Sequence, residues 1–416
     1  MKKKILLLSY YLYPCNYVAA NRPNSFAKEL VNNGFDVIVV TRHWRGDEQV
    51  WEDYLAQNDD SIVIEKKEGL TIHRLPYLPT VFSKNSLISK WRTFLKMAAG
   101  QLNSDVNYYQ YKAYIDELLT RERVDVILVS IPPLNALKLC SELSKKHKVK
   151  FFVDVRDFLN FTILYKNPNF GFFHFLKNEI SLLHSVRWFK KAALIFTITP
   201  PTTKYLRNRT KKRVITIMNG YQEKLLSINK EEFETFHITL IGSLYEIPEF
   251  GQLLDGFRAL FKENFAKEIT VKFIGTSTSP HIIHKIGEAI PARNLIMLGR
   301  LPQEDAQTEA AKSQILLVLG FKNMTGVLGT KTFEYLGLRK TIIQMPGDKD
   351  IMEKIILECN AGHCPGTVEE FVETIRKCFH EWKEKGELKY YGNLEKIKKY
   401  SREEQFKELL PYFHSI

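Results

Sequence analysis

Residues Lys4 to Thr41 read KILLLSYYLYPCNYVAANRPNSFAKELVNNGFDVIVVT, and the fold class turns on this stretch. Ile5 to Leu8 is a short, continuous apolar run, the mark of a strand buried on both faces. Pro23 can open a helix from Asn24 to Asn33, in which Phe26, Leu30 and Val31 recur at helical spacing, and Gly34 ends it. Val37 to Thr41 is then a second apolar strand, and strand, helix, strand at this spacing is a βαβ unit. Lys2, Lys3 and Lys4 ahead of the aliphatic run resemble the start of a signal peptide, but the aliphatic run is too short, and Pro14 and Asn16 break the chain beyond it.

Working outward, the same alternation returns at Val126 to Ser130, Lys150 to Val155, Leu194 to Ile198 and Val214 to Met218. A polar, charged stretch, Glu223 to Glu234, reads as a linker. Beyond it, strands are predicted at His237 to Ile241, Thr270 to Ile274, Leu295 to Leu298, Ile315 to Leu319 and Lys340 to Gln344, with helices between them. The predicted organisation is an N-terminal α/β domain over 1–222, a second over 236–390, and a terminal helix over 391–416. In that helix Phe406, Leu409, Leu410 and Phe413 form an apolar stripe. Doubly wound domains bind ligands outside the carboxyl ends of their strands, so the loops after strands carry the functional weight.

The chain of 416 residues suits two or three domains at about 150 residues each. With 44% hydrophobic and 26% charged residues, it is neither collagenous, nor a long disordered tail, nor a small disulfide scaffold. Sixty Lys and Arg against 47 Asp and Glu leave a formal charge of +13. Such an excess points to an anionic partner: a phosphate-bearing substrate, a membrane surface or nucleic acid. Cys15, Cys140, Cys359, Cys364 and Cys378 are few and scattered, which fits a reducing compartment. Cys359, His363 and Cys364 match no common zinc spacing and read as ordinary thiols near a turn. No run reaches the 18 or so apolar residues of a spanning helix, so the expectation is a cytoplasmic protein that touches membrane from one side at most.

The most informative loop runs from Asn323 to Arg339. It follows the strand Ile315 to Leu319, passes Gly326 and Gly329, and enters a helix near Thr330 that ends near Gly337. Glycines admit a close ligand, first-turn N–H groups and the helix dipole favour an anion, and Lys331 adds charge at that end. Lys331 and Glu334 are three apart and share a face, one suited to phosphate and the other to vicinal hydroxyls. An ordinary surface ion pair is the plain alternative. No GxGxxG fingerprint follows the first strand of either domain, which counts against NAD or FAD.

The segment Gly329-Thr330-Lys331-Thr332-Phe333-Glu334-Tyr335-Leu336 resembles the nucleotide-sugar site of glycosyltransferase family 4, which has the GT-B fold. Val126 to Pro133, Asp154-Val155-Arg156-Asp157, Met218-Asn219-Gly220-Tyr221 and Ile241-Gly242-Ser243-Leu244-Tyr245 stand in the order that family expects, so the resemblance runs along nearly the whole chain. It implies an α/β protein of two Rossmann-like, doubly wound domains facing each other across a cleft. The second would hold the donor and the first the acceptor, and the C-terminal helix would cross back to the first. It further implies that Glu334 hydrogen-bonds ribose hydroxyls and that Lys331, with the amides at Gly329 and Thr330, holds a diphosphate. Gly242 and Ser243 would face the same phosphates, Asp157 would be the catalytic-site residue, and Arg22 and Arg156 would serve the acceptor or a phosphate. This sequence departs from the family pattern in two places. Gly326 stands eight positions before Glu334, where many members have an acid for the donor sugar, and Ser243-Leu244-Tyr245-Glu246 replaces an Arg and a Lys-Gly pair.

Read for itself, Asp154-Val155-Arg156-Asp157 ends the strand begun by Phe151-Phe152-Val153. Asp154 and Arg156 leave on the face opposite Val155, with Asp157 at the exposed end. Arg156 either anchors the loop through a salt bridge to one of the aspartates, or Asp157 borders an acceptor hydroxyl. Ser83 to Asn103 carries Lys84, Lys90, Arg92 and Lys96 with no acid, interleaved with Leu87, Ile88, Trp91, Phe94, Leu95 and Met97. That pattern suits a helix on an anionic membrane, or equally a core-facing helix with a basic outer side. A second basic aromatic patch is predicted on a helix from Phe172 to Lys191, with Phe173, Phe175, Trp188 and Phe189. No nucleic-acid motif accompanies the charge.

The expected function is transfer of a sugar from a nucleotide-diphosphate-sugar donor to a hydroxyl of a glycan or lipid-linked glycan. The resemblance implies retention at the anomeric carbon, cell-surface polysaccharide as product, and no metal or other cofactor. A non-catalytic GT-B module that supports a partner enzyme, and a nucleotide-sugar epimerase, are the alternatives.

Overall fold

A computed structural model describes residues 2–46, 61–77, 106–157, 172–228, 231–244, 246–276, 279–322 and 324–416. The opening βαβ unit forms as its apolar pattern dictates. β1 (Lys4–Ser9) is followed by α1 (Asn21–Asn32) and by β2 (Asp36–Arg42), which pairs with β1 in parallel, Ile5 against Val37. Ile5 and Leu7 point into one core with Phe26 and Leu30, while Leu6 and Leu8 point into another with Ile115 and Leu137. A strand covered on both faces needs apolar side chains at every position, which is why β1 shows no alternation.

The rest of this unit comprises β3 (Val63–Lys67), β4 (Leu70–Leu75), α2 (Val106–Arg121), β5 (Val126–Ile131), α3 (Leu134–His147) and β6 (Lys150–Val155). It continues through α4 (Phe172–Phe189), β7 (Leu194–Thr197), α5 (Pro200–Thr210) and β8 (Val214–Thr216). The strand order is β3-β4-β2-β1-β5-β6-β7-β8, parallel except for β3, which runs antiparallel to β4. The β3–β4 hairpin has no counterpart in the sequence reading. Its charged run, Glu65-Lys66-Lys67, belongs to an edge strand, where charge blunts pairing with other chains.

The second unit, Asn219–Gln405, holds β9 (Phe236–Ile241), α6 (Pro248–Leu260), β10 (Ile269–Ile274), α7 (Pro280–Ala289), β11 (Leu295–Leu298), α8 (Gln303–Ala311) and β12 (Ile315–Leu319). There follow α9 (Thr330–Leu338), β13 (Thr341–Met345), α10 (Ile351–Glu358), β14 (Gly362–His363), α11 (Val368–Lys385), α12 (Leu394–Lys398) and most of α13 (Arg402–Lys407). Its sheet is ordered β11-β10-β9-β12-β13-β14 and is parallel throughout. Phe236, Phe257, Phe273 and Phe371 lie at the centre of its largest core cluster.

The stretch expected as a linker packs into this second unit. Leu225 is buried, and Lys340 pairs with Glu232 at 2.5 Å. The terminal segment is three short helices, α12, α13 and α14 (Leu410–His414), where one helix was predicted. Residues Phe406–Ile416 group with the first unit, where Phe406, Leu409 and Phe413 bury against Phe26, Phe35 and Phe152. The basic segment Ser83 to Asn103 lies outside the described residues. On α4, Phe189 is buried in the core and Trp188 packs against it, so those two rings are not the membrane-facing patch predicted for them.

Candidate functional site

In the second unit the strand order reverses between β9 and β12, with β10 and β11 laid down on one side and β13 and β14 on the other. Ligands of doubly wound sheets bind where the order reverses, outside the carboxyl ends of the strands. The loops after β9 and β12 both open there. Tyr335 of α9 holds them together, because its buried hydroxyl accepts a hydrogen bond from the Ile241 N–H at 2.9 Å, at the last residue of β9. Gly242 follows with φ +118°, a conformation side chains rarely adopt, and Ser243 is exposed.

Helix α9 begins at Gly329, an N-cap with no side chain to satisfy the first-turn amides, and Thr330 and Lys331 follow. Lys331 Nζ lies 2.8 Å from Glu334 Oε2, and Gln307 Nε2 donates to the same oxygen at 3.3 Å. This is not the ordinary surface pair. Lys331 keeps 27% of its side chain exposed, whereas Glu334 is 2% exposed. Glu334 Oε1 and Thr332 Oγ1 are buried without a hydrogen-bond partner. A buried acceptor left unmade costs roughly 1–3 kcal/mol, so this corner is poised for a donor from outside the chain. At Gly326 φ is +81°, and its N–H donates to the Asp350 carboxylate at 2.5 Å. A glycine is required by the turn at the position where the family resemblance expects an acid.

The sheet of the first unit reverses between β1 and β5. Beside it, Asp154 is fully buried at the end of β6 and accepts from Arg22 Nε at 2.9 Å and Ser130 Oγ at 2.7 Å. The other two guanidinium nitrogens of Arg22 donate to Met218 O and Ile217 O, each at 2.9 Å. Arg22 lies within α1, not in the loop before it, and every nitrogen of its guanidinium is used inside the protein. Of the two readings left open for Arg156, the salt bridge is not formed: Asp154 pairs with Arg22. Arg156 is also buried, and donates to the carbonyls of Ala19 and Pro132 with its guanidinium over the Tyr11 ring. Asp157, two residues beyond β6, is exposed. Partial desolvation of its carboxyl raises the pKa above the ordinary value; Arg156 opposes the rise and Asp154 adds to it.

Gln307, Thr332, Tyr335 and Asp350 also line this candidate site, and the sequence reading did not single them out. The sequence signal for Gln307 is its place beside Ala306 and one turn before Ala310 and Ala311; its burial shows only in the fold. Among the described residues, no group of three or more His, Cys, Asp or Glu side chains could hold a metal ion, and Cys359 is buried with its thiol pushed up to about 12.

Solved structures match the chain along its whole length. An E. coli trehalose-6-phosphate structure bound with UDP-2-fluoro glucose superposes with a TM-score of 0.65 at 11% identity, covering 100% of this chain and 99% of that one. A UDP-forming α,α-trehalose-phosphate synthase from Burkholderia vietnamiensis gives 0.63 at 10% identity, with 100% of both chains covered. Anabaena HepE in complex with UDP and glucose gives 0.62 at 11%, again covering both chains fully. The fold is GT-B. No protein-family model matches the sequence, and no curated protein matches it. At 10–11% identity the likeness carries the GT-B architecture alone, so the roles of residues rest on the geometry above.

Proposed function

We propose that this GT-B protein is a glycosyltransferase that moves a sugar from a nucleotide-diphosphate donor to a hydroxyl of a glycan or lipid-linked glycan. The observation that carries this reading is the buried Glu334 carboxylate, with one oxygen unpartnered, beside Lys331 at an uncapped helix start. Vicinal ribose hydroxyls would satisfy Glu334, and Lys331 with the first-turn amides would take the diphosphate. As the glycosidic bond of the donor breaks, negative charge grows on the departing phosphate oxygens, and these fixed donors stabilise it. In this reading Lys331 and the amides, not a metal or resident cofactor, supply the positive charge. Retention at the anomeric carbon, a cell-surface polysaccharide product and work at the cytoplasmic membrane face complete the proposal. UDP-sugars are the donors to try first, since solved GT-B structures of this shape hold UDP with glucose or UDP-2-fluoro glucose.

Titration calorimetry with UDP, GDP and dTDP, followed by nucleotide-release assays with the matching sugars and lipid-linked acceptors, tests it. Binding of one nucleotide with acceptor-dependent release is the expected result. Absence of binding by all three would overturn it. Gly326 and the exposed Ser243 favour a second reading, a binding module without turnover, which predicts nucleotide binding and no release. Donor conversion with no acceptor present would indicate an epimerase.

A further inference from the structure

At the amino ends of β12 and β13, the edge of the second sheet opposite the candidate site, the second unit has a cavity of about 600 Å³. It is bounded by Arg339, Lys340 and Thr341 at the start of β13 and by the chain that follows α11, Gly386 to Leu394. A volume of this order suits a small organic molecule. The chain after α11 is fixed in place. Gly386 ends the helix at φ +76°, the Asn393 N–H donates to Cys359 O at 2.7 Å, and Asn360 Nδ2 donates to Tyr391 O at 2.8 Å. A Cβ at Gly392 would sit 2.3 Å from the Tyr390 ring, so a glycine is required for the ring to lie there.

The charges that line the cavity are not all paired. Glu232 is used up within the protein: Oε1 accepts from Lys340 Nζ at 2.5 Å and Oε2 from Gln314 Nε2 at 3.2 Å. Glu387 and Lys389 are exposed and opposite in sign. Arg339 remains. It is half-buried, makes no ion pair with any described residue, and its Nε is buried without a hydrogen-bond partner. Tyr390 Oη on the same cavity is also buried without a partner. Burial and Cys359 raise the pKa of this phenol against the pull of Arg339, so it stays a donor.

We infer that this cavity is a second anion site, apart from the candidate donor site, which takes the phosphate or carboxylate group of a small molecule on Arg339 and Tyr390. A guanidinium offers planar N–H groups that match two oxygens of such a group, and hydrogen bonds to an ionised acceptor are the strong ones. Donors left unmade away from water are costly, and an oxyanion satisfies both at once. One recessed cation suits one oxyanion group, not the phosphate row of a nucleic acid. The site goes beyond the proposed glycosyl transfer and does not rest on it.

Arginine modification by phenylglyoxal, mapped by peptide mass spectrometry on the full chain, reads Arg339 directly. Inorganic phosphate and citrate are each titrated in at constant ionic strength, with Arg187, an exposed arginine of the first unit, as the reference. At least one of the two anions should slow modification of Arg339 about tenfold at saturation while Arg187 keeps its rate. Phosphate alone as the protecting ion marks a phosphorylated ligand, and citrate alone a carboxylate. Tyr390→Phe should raise the protecting concentration about tenfold, the loss expected for one hydrogen bond to a charged group, with the melting temperature unchanged. Protection should persist in Lys331→Ala. No protection by either anion, or equal protection at both arginines, overturns the site. So does a protecting concentration that Tyr390→Phe leaves unchanged, and so does protection lost in Lys331→Ala, which would put the anion at the donor site. An Arg339 that the reagent does not modify even without anion shows a closed cavity and overturns it too.

Discussion

Each unit carries a cation–carboxylate pair beside the point where its strand order reverses, and the two pairs differ in what they leave undone. Asp154 and Arg22 are both buried, and every nitrogen of the guanidinium has a partner within the protein. Glu334 is just as buried, yet one of its oxygens has no partner and its cation, Lys331, is partly in solvent. The satisfied pair is architecture: it ties α1, β5, β6 and the chain after β8 into one end of the first sheet. The unsatisfied pair is the one the proposed function assigns to a ligand. Residue type alone does not separate the two cases; the count of unmade hydrogen bonds does.

The largest effect should come from breaking the satisfied pair. Arg22→Met leaves the Asp154 carboxylate buried and unpaired, and should cost roughly 3–5 kcal/mol in denaturant unfolding of the first unit. Adding Asp154→Leu should recover most of that loss, since replacing both partners removes the stranded charge. A single variant as stable as the parent would erase the distinction between the two pairs.

At the unsatisfied pair the order of effects reverses. Glu334→Ala should shift stability by less than about 1 kcal/mol, because removing the unpartnered Oε1 offsets the loss of the Lys331 and Gln307 contacts to Oε2. The same change should weaken nucleotide binding at least about tenfold by calorimetry. Lys331→Ala should lose more nucleotide affinity than Lys354→Ala, an exposed lysine on α10. Lys340 is no control for this purpose, since it is buried against Glu232 and would report on folding. Equal losses at Lys331 and Lys354 would reduce the site to general charge.

The smallest effect is expected at Asp157. Its raised pKa means that the folded protein binds this proton more tightly than the unfolded chain, so the ionised carboxylate is a mild liability at neutral pH. That liability is relieved as pH falls through the folded pKa. Asp157→Asn should therefore melt slightly higher than the parent at pH 7 and converge with it in acid. A lower melting point at pH 7 would mean that the attraction of Arg156 outweighs desolvation, and that Asp157 belongs with the architectural pair.

Much of this protein was written locally in its sequence. The short apolar runs predicted every parallel strand of the two sheets except β4 and β14, because a strand covered by helices on both faces must be apolar at every position. The Gly329 to Leu336 segment predicted an uncapped helix start with a cation and an acid on one face, because three-residue spacing on a helix needs no tertiary information. The tertiary structure decided the partners. Arg22 and Asp154 are 132 residues apart and Gln307 and Glu334 are 27 apart, separations over which local periodicity carries no information. It likewise decided that Arg22 turns inward, that Arg156 holds loop carbonyls, that Glu334 is buried, and that the charged β3–β4 hairpin is a strand pair. A side chain's role at a strand end depends on which distant donors and acceptors the fold brings within about 3 Å of it, and only the folded chain sets those distances.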